Sequence, residues 1–85
     1  MNLNEAKGLK ASVKDYEKLT KNSKEQIKNL QQQNVELRKQ TIGLDKNGSK
    51  YREITSQIDE NRSRMRQLQQ DILGYQKTRD TLVSS

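Results

Sequence analysis

Apolar or small residues recur through the first half of the chain at alternating steps of four and three: Leu9, Val13, Tyr16, Thr20, Ser23, Ile27, Leu30, Asn34, Leu37, Thr41 and Leu44. A mean spacing of about 3.5 residues keeps such a set on one stripe of a helix, facing a partner helix, which is the heptad signature of a coiled coil. With Val13 at heptad position a, Ile27, Asn34 and Thr41 are also a, and Leu9, Tyr16, Leu30, Leu37 and Leu44 are d. The second half repeats the pattern. Tyr51, Ile58, Met65, Ile72 and Arg79 fall at a, and Ile54, Asn61, Leu68, Tyr75 and Leu82 at d.

The frame does not run through unbroken, because continuing the first register would place Gly48 at a and Thr55, rather than Ile54, in the core. The slip falls within Gly43-Leu44-Asp45-Lys46-Asn47-Gly48-Ser49, which holds two of the four glycines of a chain that has no proline. Gly loses the most backbone freedom on ordering, and Asn, Asp and Ser side chains compete for backbone hydrogen bonds, so this stretch breaks a helix. The fold class predicted is therefore all-α: a two-helix antiparallel coiled-coil hairpin, one domain over 1–85, with helices over about 5–42 and about 50–83 and a turn over about 43–49. The alternative is one long helix in a parallel coiled-coil dimer. A continuous helix would span about 125 Å, against about 55 Å for the hairpin.

Folding the two seams together tests the hairpin. If Leu44 faces Tyr51, residues whose numbers add up to 95 are paired: Leu37 with Ile58, Leu30 with Met65, Ile27 with Leu68, Ser23 with Ile72 and Thr20 with Tyr75. Every pair joins an a to a d, as antiparallel packing requires. Asn34 and Asn61 also fall opposite each other. A buried amide left alone costs about 1–3 kcal/mol, whereas two facing amides can satisfy each other and fix the register. Towards the termini Ser23, Thr20 and a layer of Tyr16 with Arg79 leave a thin seam, in which the Arg79 guanidinium could lie on the Tyr16 ring.

Only 28% of the residues are hydrophobic, 33% are charged, and the net charge is +6. A compact globule of 85 residues needs more apolar surface to offset backbone ordering at about 1–2 kcal/mol per residue, so the molecule is expected to be elongated or completed by another chain. Such a composition borders on the disordered, but the regular placement of the few apolar residues argues for order. A lone hairpin should be marginal, which points to self-association, for example as a four-helix bundle, or to a helical protein partner. Val35, Ile42 and Leu73, one step off the seam, offer a sparse second contact line.

The chain has neither cysteine nor histidine. Disulfides, thiolate metal sites, His-dependent triads and imidazole acid-base chemistry are excluded together, and no cofactor is expected. The first residues lack an apolar core of signal-peptide length, and no run approaches the roughly 18 apolar residues of a membrane span. An intracellular, soluble and more specifically cytoplasmic protein is the expectation.

Lys7, Lys14, Lys21 and Lys28 occupy one heptad position and form a basic stripe about 30 Å long on an ideal helix. It could follow a nucleic-acid backbone through counterion release or face an acidic protein, or it could simply be a solvated flank. There is no Phe or Trp to stack bases, and the three Tyr lie on the seam. Arg62, Arg64 and Arg66 point in different directions, with Asp59 and Glu60 placed to pair with Arg62, Arg64 or both. Asp45-Lys46-Asn47-Gly48-Ser49 looks like the start of a calcium loop, yet Gly48 stands fourth instead of sixth and Ser56 occupies the twelfth position, where Glu is needed. Asp59 and Glu60 sit side by side on an exposed helix without a pocket, so catalysis by paired carboxylates is not expected.

No motif carries a family resemblance. Length and hairpin are similar to those of type III secretion needle subunits, but a proline-containing turn is missing at Asp45 to Ser49, and the Trp-x-Gly hairpin of small secreted virulence factors needs a Trp. The function expected is non-enzymatic: an adaptor, scaffold or small regulatory subunit mediating protein–protein assembly. Leu30, Leu37, Ile58, Met65 and Leu68 would carry the packing, and Asn34 and Asn61 the register. The alternative is a basic helical nucleic-acid-binding module using Lys7, Lys14, Lys21 and Lys28.

Overall fold

A computed structural model describes the backbone of residues 3–84 and the side chains of residues 12–84. Two helices, α1 (Leu3–Gln40) and α2 (Ser49–Ser84), fold back on each other as a helical hairpin. Both are long because Gln, Lys, Glu, Arg and Leu lose little rotamer freedom in a helix and no proline interrupts them. The molecule measures 66 × 15 × 14 Å, the dimensions of a hairpin and about half the length of a continuous helix of 85 residues.

The reversal is built from backbone hydrogen bonds that α1 can no longer make internally. The amides of Thr41 and Ile42 tighten onto the carbonyls of Arg38 and Lys39 at 3.0 and 3.2 Å, and the Thr41 hydroxyl donates to Arg38 O at 2.6 Å. The helix therefore stops two residues short of the 42 read from the sequence, because Thr41 turns its side chain back on the last turn. Gly43 follows with φ +80, a conformation that costs an L-residue about 1–2 kcal/mol, inside the turn closed by Leu44 N–H donating to Thr41 O at 3.1 Å. A second turn spans Asp45 to Gly48, closed at 2.9 Å, and the Asp45 carboxylate accepts the Asn47 amide at 3.0 Å. Gly48 then caps the start of α2 from the position before Ser49, its carbonyl accepting the Arg52 amide at 3.2 Å.

The buried residues of the described region all lie on the heptad seam, but the two helices contribute differently. α2 supplies the aliphatic core, Ile54, Ile58, Leu68 and Ile72, of which Leu68 is only 2% exposed. α1 supplies Thr20, Ser23 and Asn34. Its own aliphatic seam residues, Val13, Ile27, Leu30 and Leu37, stay half-buried. A short side chain on one helix lets the facing helix come closer, so the Thr20 and Ser23 layers, which read as thin in sequence, are among the most enclosed. Thr20 meets the cost of its buried hydroxyl by donating to Tyr16 O at 2.8 Å. Among the described residues no buried side-chain nitrogen or oxygen lacks a hydrogen-bond partner.

Near the open end the Tyr16 ring packs against Tyr75, with centroids 6.2 Å apart and planes tilted by 42°. Such pairs add about 0.5–1.5 kcal/mol to the area they bury. Arg79 does not lie on the Tyr16 ring; its guanidinium instead donates to the Asp80 carboxylate next to it, at 3.0 and 3.2 Å. Two rings in adjacent layers exclude water from each other more effectively than a guanidinium, whose own hydration would have to be removed.

Two glycine substitutions should move stability in opposite directions. Gly43→Ala forces a Cβ into a positive φ and is expected to lower stability by about 1–2 kcal/mol. Gly74→Ala sits inside α2, where an added Cβ meets nothing within 4 Å, and should raise stability by about 0.5–1 kcal/mol. Urea denaturation followed by circular dichroism measures both, and equal signs would contradict the turn geometry.

Candidate interaction surfaces

The polar centre of the seam is assembled from both helices. Asn34 is buried and Asn61 is half-buried, and the Asn61 Nδ2 donates to Asn34 Oδ1 at 2.9 Å. The Asn34 Nδ2 in turn donates to the Ile58 carbonyl at 3.3 Å, one turn earlier on α2. That carbonyl already accepts a bond within α2, so the amide uses its second lone pair. A slide of one helical turn would separate all these atoms, which is how two amides in an apolar seam can select one register.

The other residues singled out from the sequence divide by exposure. Ile58 and Leu68 are buried, whereas Leu30, Leu37 and Met65 remain half-buried. A two-helix hairpin covers only the inner side of each seam, so α1 retains accessible apolar edge along its whole described length. Leu19, Val35, Ile42, Leu73 and Val83 are exposed outright, Ile42 by 80%.

Lys14, Lys21 and Lys28 are exposed on one flank of α1, while the Lys7 side chain lies outside the described residues. The hairpin places three further cations on that flank, Arg52, Arg62 and Arg66 of α2. Counting along α2 from its own a positions reveals the match: Arg52 and Arg66 hold heptad position b, as the lysines do on α1, and Arg62 holds the neighbouring e position of the same side, and in an antiparallel pair equivalent positions share a side. Grooves run along both sides of the pair. One is lined by Lys21, Lys24, Lys28 and Arg79 with Glu17 and Glu25, and the opposite one by Gln33, Glu36, Gln40, Gln57 and Glu60.

Ion pairs among the described residues stay within single helices: Lys39 with Glu36 at 3.3 Å, Arg62 with Asp59 at 3.7 Å and Arg79 with Asp80 at 3.0 Å. Exposed pairs of this kind contribute about 0–1 kcal/mol, so charge does not hold the two helices together. In the turn, Asp45 is engaged with the Asn47 amide, and no cluster of three metal-ligating side chains occurs among the described residues. No helix of the described region is long and apolar enough to cross a membrane.

Comparisons of the chain with models of protein families, with curated proteins and with solved structures give no match.

The amide pair generates a double-mutant test. Asn34→Leu alone strands the Asn61 amide, and Asn61→Leu alone leaves Asn34 without its donor, so each should cost about 1–3 kcal/mol. The double variant should recover most of that loss, because two facing leucines need no hydrogen bond. Denaturation of the four proteins measures the coupling. Additive losses would mean that the two amides do not act together.

Proposed function

We propose that this protein is a non-enzymatic helical-hairpin module that works by packing against other helices, its own copies or a helical partner protein, as an adaptor, scaffold or small regulatory subunit. The observation that carries this reading is the half-covered seam of α1, where Ile27, Leu30 and Leu37 keep accessible apolar surface that two helices cannot close. A third or fourth helix covering that edge would remove it from water, at about 25 cal/mol for each Å². The grooves are open and lined by amides and charges, without the water-excluding enclosure that catalysis requires, which supports a binding role over an enzymatic one.

A photo-crosslinking residue at Leu37, and another at Val35, tests this in the cells that produce the protein. Discrete protein adducts at both positions are expected, and the absence of protein adducts at either would contradict the reading.

A second reading, a nucleic-acid-binding module, is favoured by one observation: Arg52, Arg62 and Arg66 extend the lysine flank across both helices. It predicts retention on duplex DNA that falls steeply with salt and is abolished when Lys14, Lys21 and Lys28 are changed to Glu. Retention that survives those changes would remove this flank as the site.

A further inference from the structure

The charges of the two helices are sorted by side. On one flank α1 presents Lys14, Lys21, Lys24, Lys28 and Arg38, and α2 adds Arg52, Arg62 and Arg66, against four acids, Glu17, Glu25, Asp59 and Asp80. The opposite flank reverses the balance, with Asp15, Glu36, Glu53, Glu60 and Asp71 against Lys50 and Arg64. The hairpin itself gains nothing from this sorting, since no ion pair among the described residues bridges the helices. Eight cations on one side of a slender rod repel one another within a Debye length of about 8 Å, a cost that a surface of opposite sign would offset.

We infer that this surface is the acidic flank of a second copy of the chain, so that hairpins stack side by side, basic flank on acidic flank. This deepens the assembly reading above and rests on it. The attraction lies in the balance of the two flanks. In a stack without axial shift, Lys14 stands at the height of the next copy's Asp15, Arg38 at that of Glu36, Arg52 at that of Glu53 and Arg62 at that of Glu60, each within about 3 Å along the axis at 1.5 Å per residue, while Glu17 also meets Asp15, Asp59 meets Glu60, Arg52 meets Lys50, and Arg62 and Arg66 meet Arg64. Lys21 and Lys28 meet Asn22 and Asn29, amides that can accept from them. Three of the five exposed large apolar residues, Val35, Leu73 and Val83, hold helical positions of the basic flank, so the same contact removes their surface from water.

A two-fold joint would place basic flank on basic flank, or acidic on acidic. Charge disfavours both, so the contact joins two different surfaces and leaves the stack with one free basic flank at one end and one free acidic flank at the other. Growth is then open-ended and ceases when either flank is neutralised.

Sedimentation of the full-length protein at low salt and at about 0.5 M salt tests this with two variants. One carries Lys14→Gln, Arg38→Gln, Arg52→Gln and Arg62→Gln, and the other Asp15→Asn, Glu36→Gln, Glu53→Gln and Glu60→Gln. These side chains are exposed, and circular dichroism confirms that the helices remain. The unchanged protein is expected to form species larger than a dimer that dissociate in high salt. Each variant alone should lose about tenfold in self-affinity, because four exposed charges of one flank are removed together. Mixed together, the two variants should form one-to-one dimers and nothing larger, because each retains one working flank. Three results overturn the inference: an unchanged protein of single-chain mass at low salt, association insensitive to salt and to both variants, or mixed variants that do not pair. If self-association fails while Leu37 and Val35 still crosslink to a different protein, the assembly reading stands and the stack falls. If the unchanged protein is monomeric and its basic flank instead holds duplex DNA, the acidic partner is a nucleic acid.

Discussion

The hydrogen bond between Asn61 and Asn34, backed by the bond from Asn34 to the Ile58 carbonyl, is the constraint on which the rest of the hairpin depends. Aliphatic side chains on a regular seam would tolerate a slide of one turn, because one apolar layer replaces another at little cost. An amide does not tolerate it. Displaced by a turn, it would face Leu or Ile with unsatisfied donors, a loss of about 1–3 kcal/mol in a molecule with little stability to spare. Once these two residues are opposed, the turn must span Thr41 to Gly48, the Ile54 and Ile58 layers must lie between turn and amides, and Tyr16 must end near Tyr75.

The division of labour along the seam follows from the same register. α2 brings the branched aliphatic residues and α1 the small or polar ones, so the inner side is closed by Ile54, Ile58, Leu68 and Ile72 while the outer edge of α1 stays partly uncovered. A fold that leaves its apolar residues half-wet has a reason to acquire neighbours. In the assembly we propose, the flanks would decide which neighbours are tolerated, since like charges resist contact between equivalent sides and opposite charges favour contact between different ones.

Much of this architecture was legible in the residues themselves. The alternation of threes and fours, its slip at Gly43 to Gly48, and the coincidence of Asn34 with Asn61 lead to the hairpin without coordinates, because heptad spacing and turn chemistry are local rules. Other features escaped that reading for physical reasons. Thr20 and Ser23 look like weak layers when side chains are ranked by hydrophobicity, but small residues allow closer helix approach and become enclosed. Tyr75 reaches the neighbouring layer to meet Tyr16, which a layer-by-layer pairing of equal heights does not anticipate. The arginines of α2 join the lysine flank of α1 only when the two heptad frames, offset by the slip, are laid side by side. A single helical wheel through the whole chain scrambles them.

The seam, the amide pair and the two flanks all require that each chain reverse direction at its centre and bring its own two seams together. Spin labels at Val13 and Leu82, measured by dipolar spectroscopy with labelled protein diluted into a large excess of unlabelled protein, test that directly. The hairpin predicts a single short separation, about 10–20 Å, given facing helices about 8–10 Å apart and the reach of the labels. A separation near 100 Å, the span of a continuous helix between those positions at 1.5 Å per residue, or a short distance that vanishes on dilution, would contradict it.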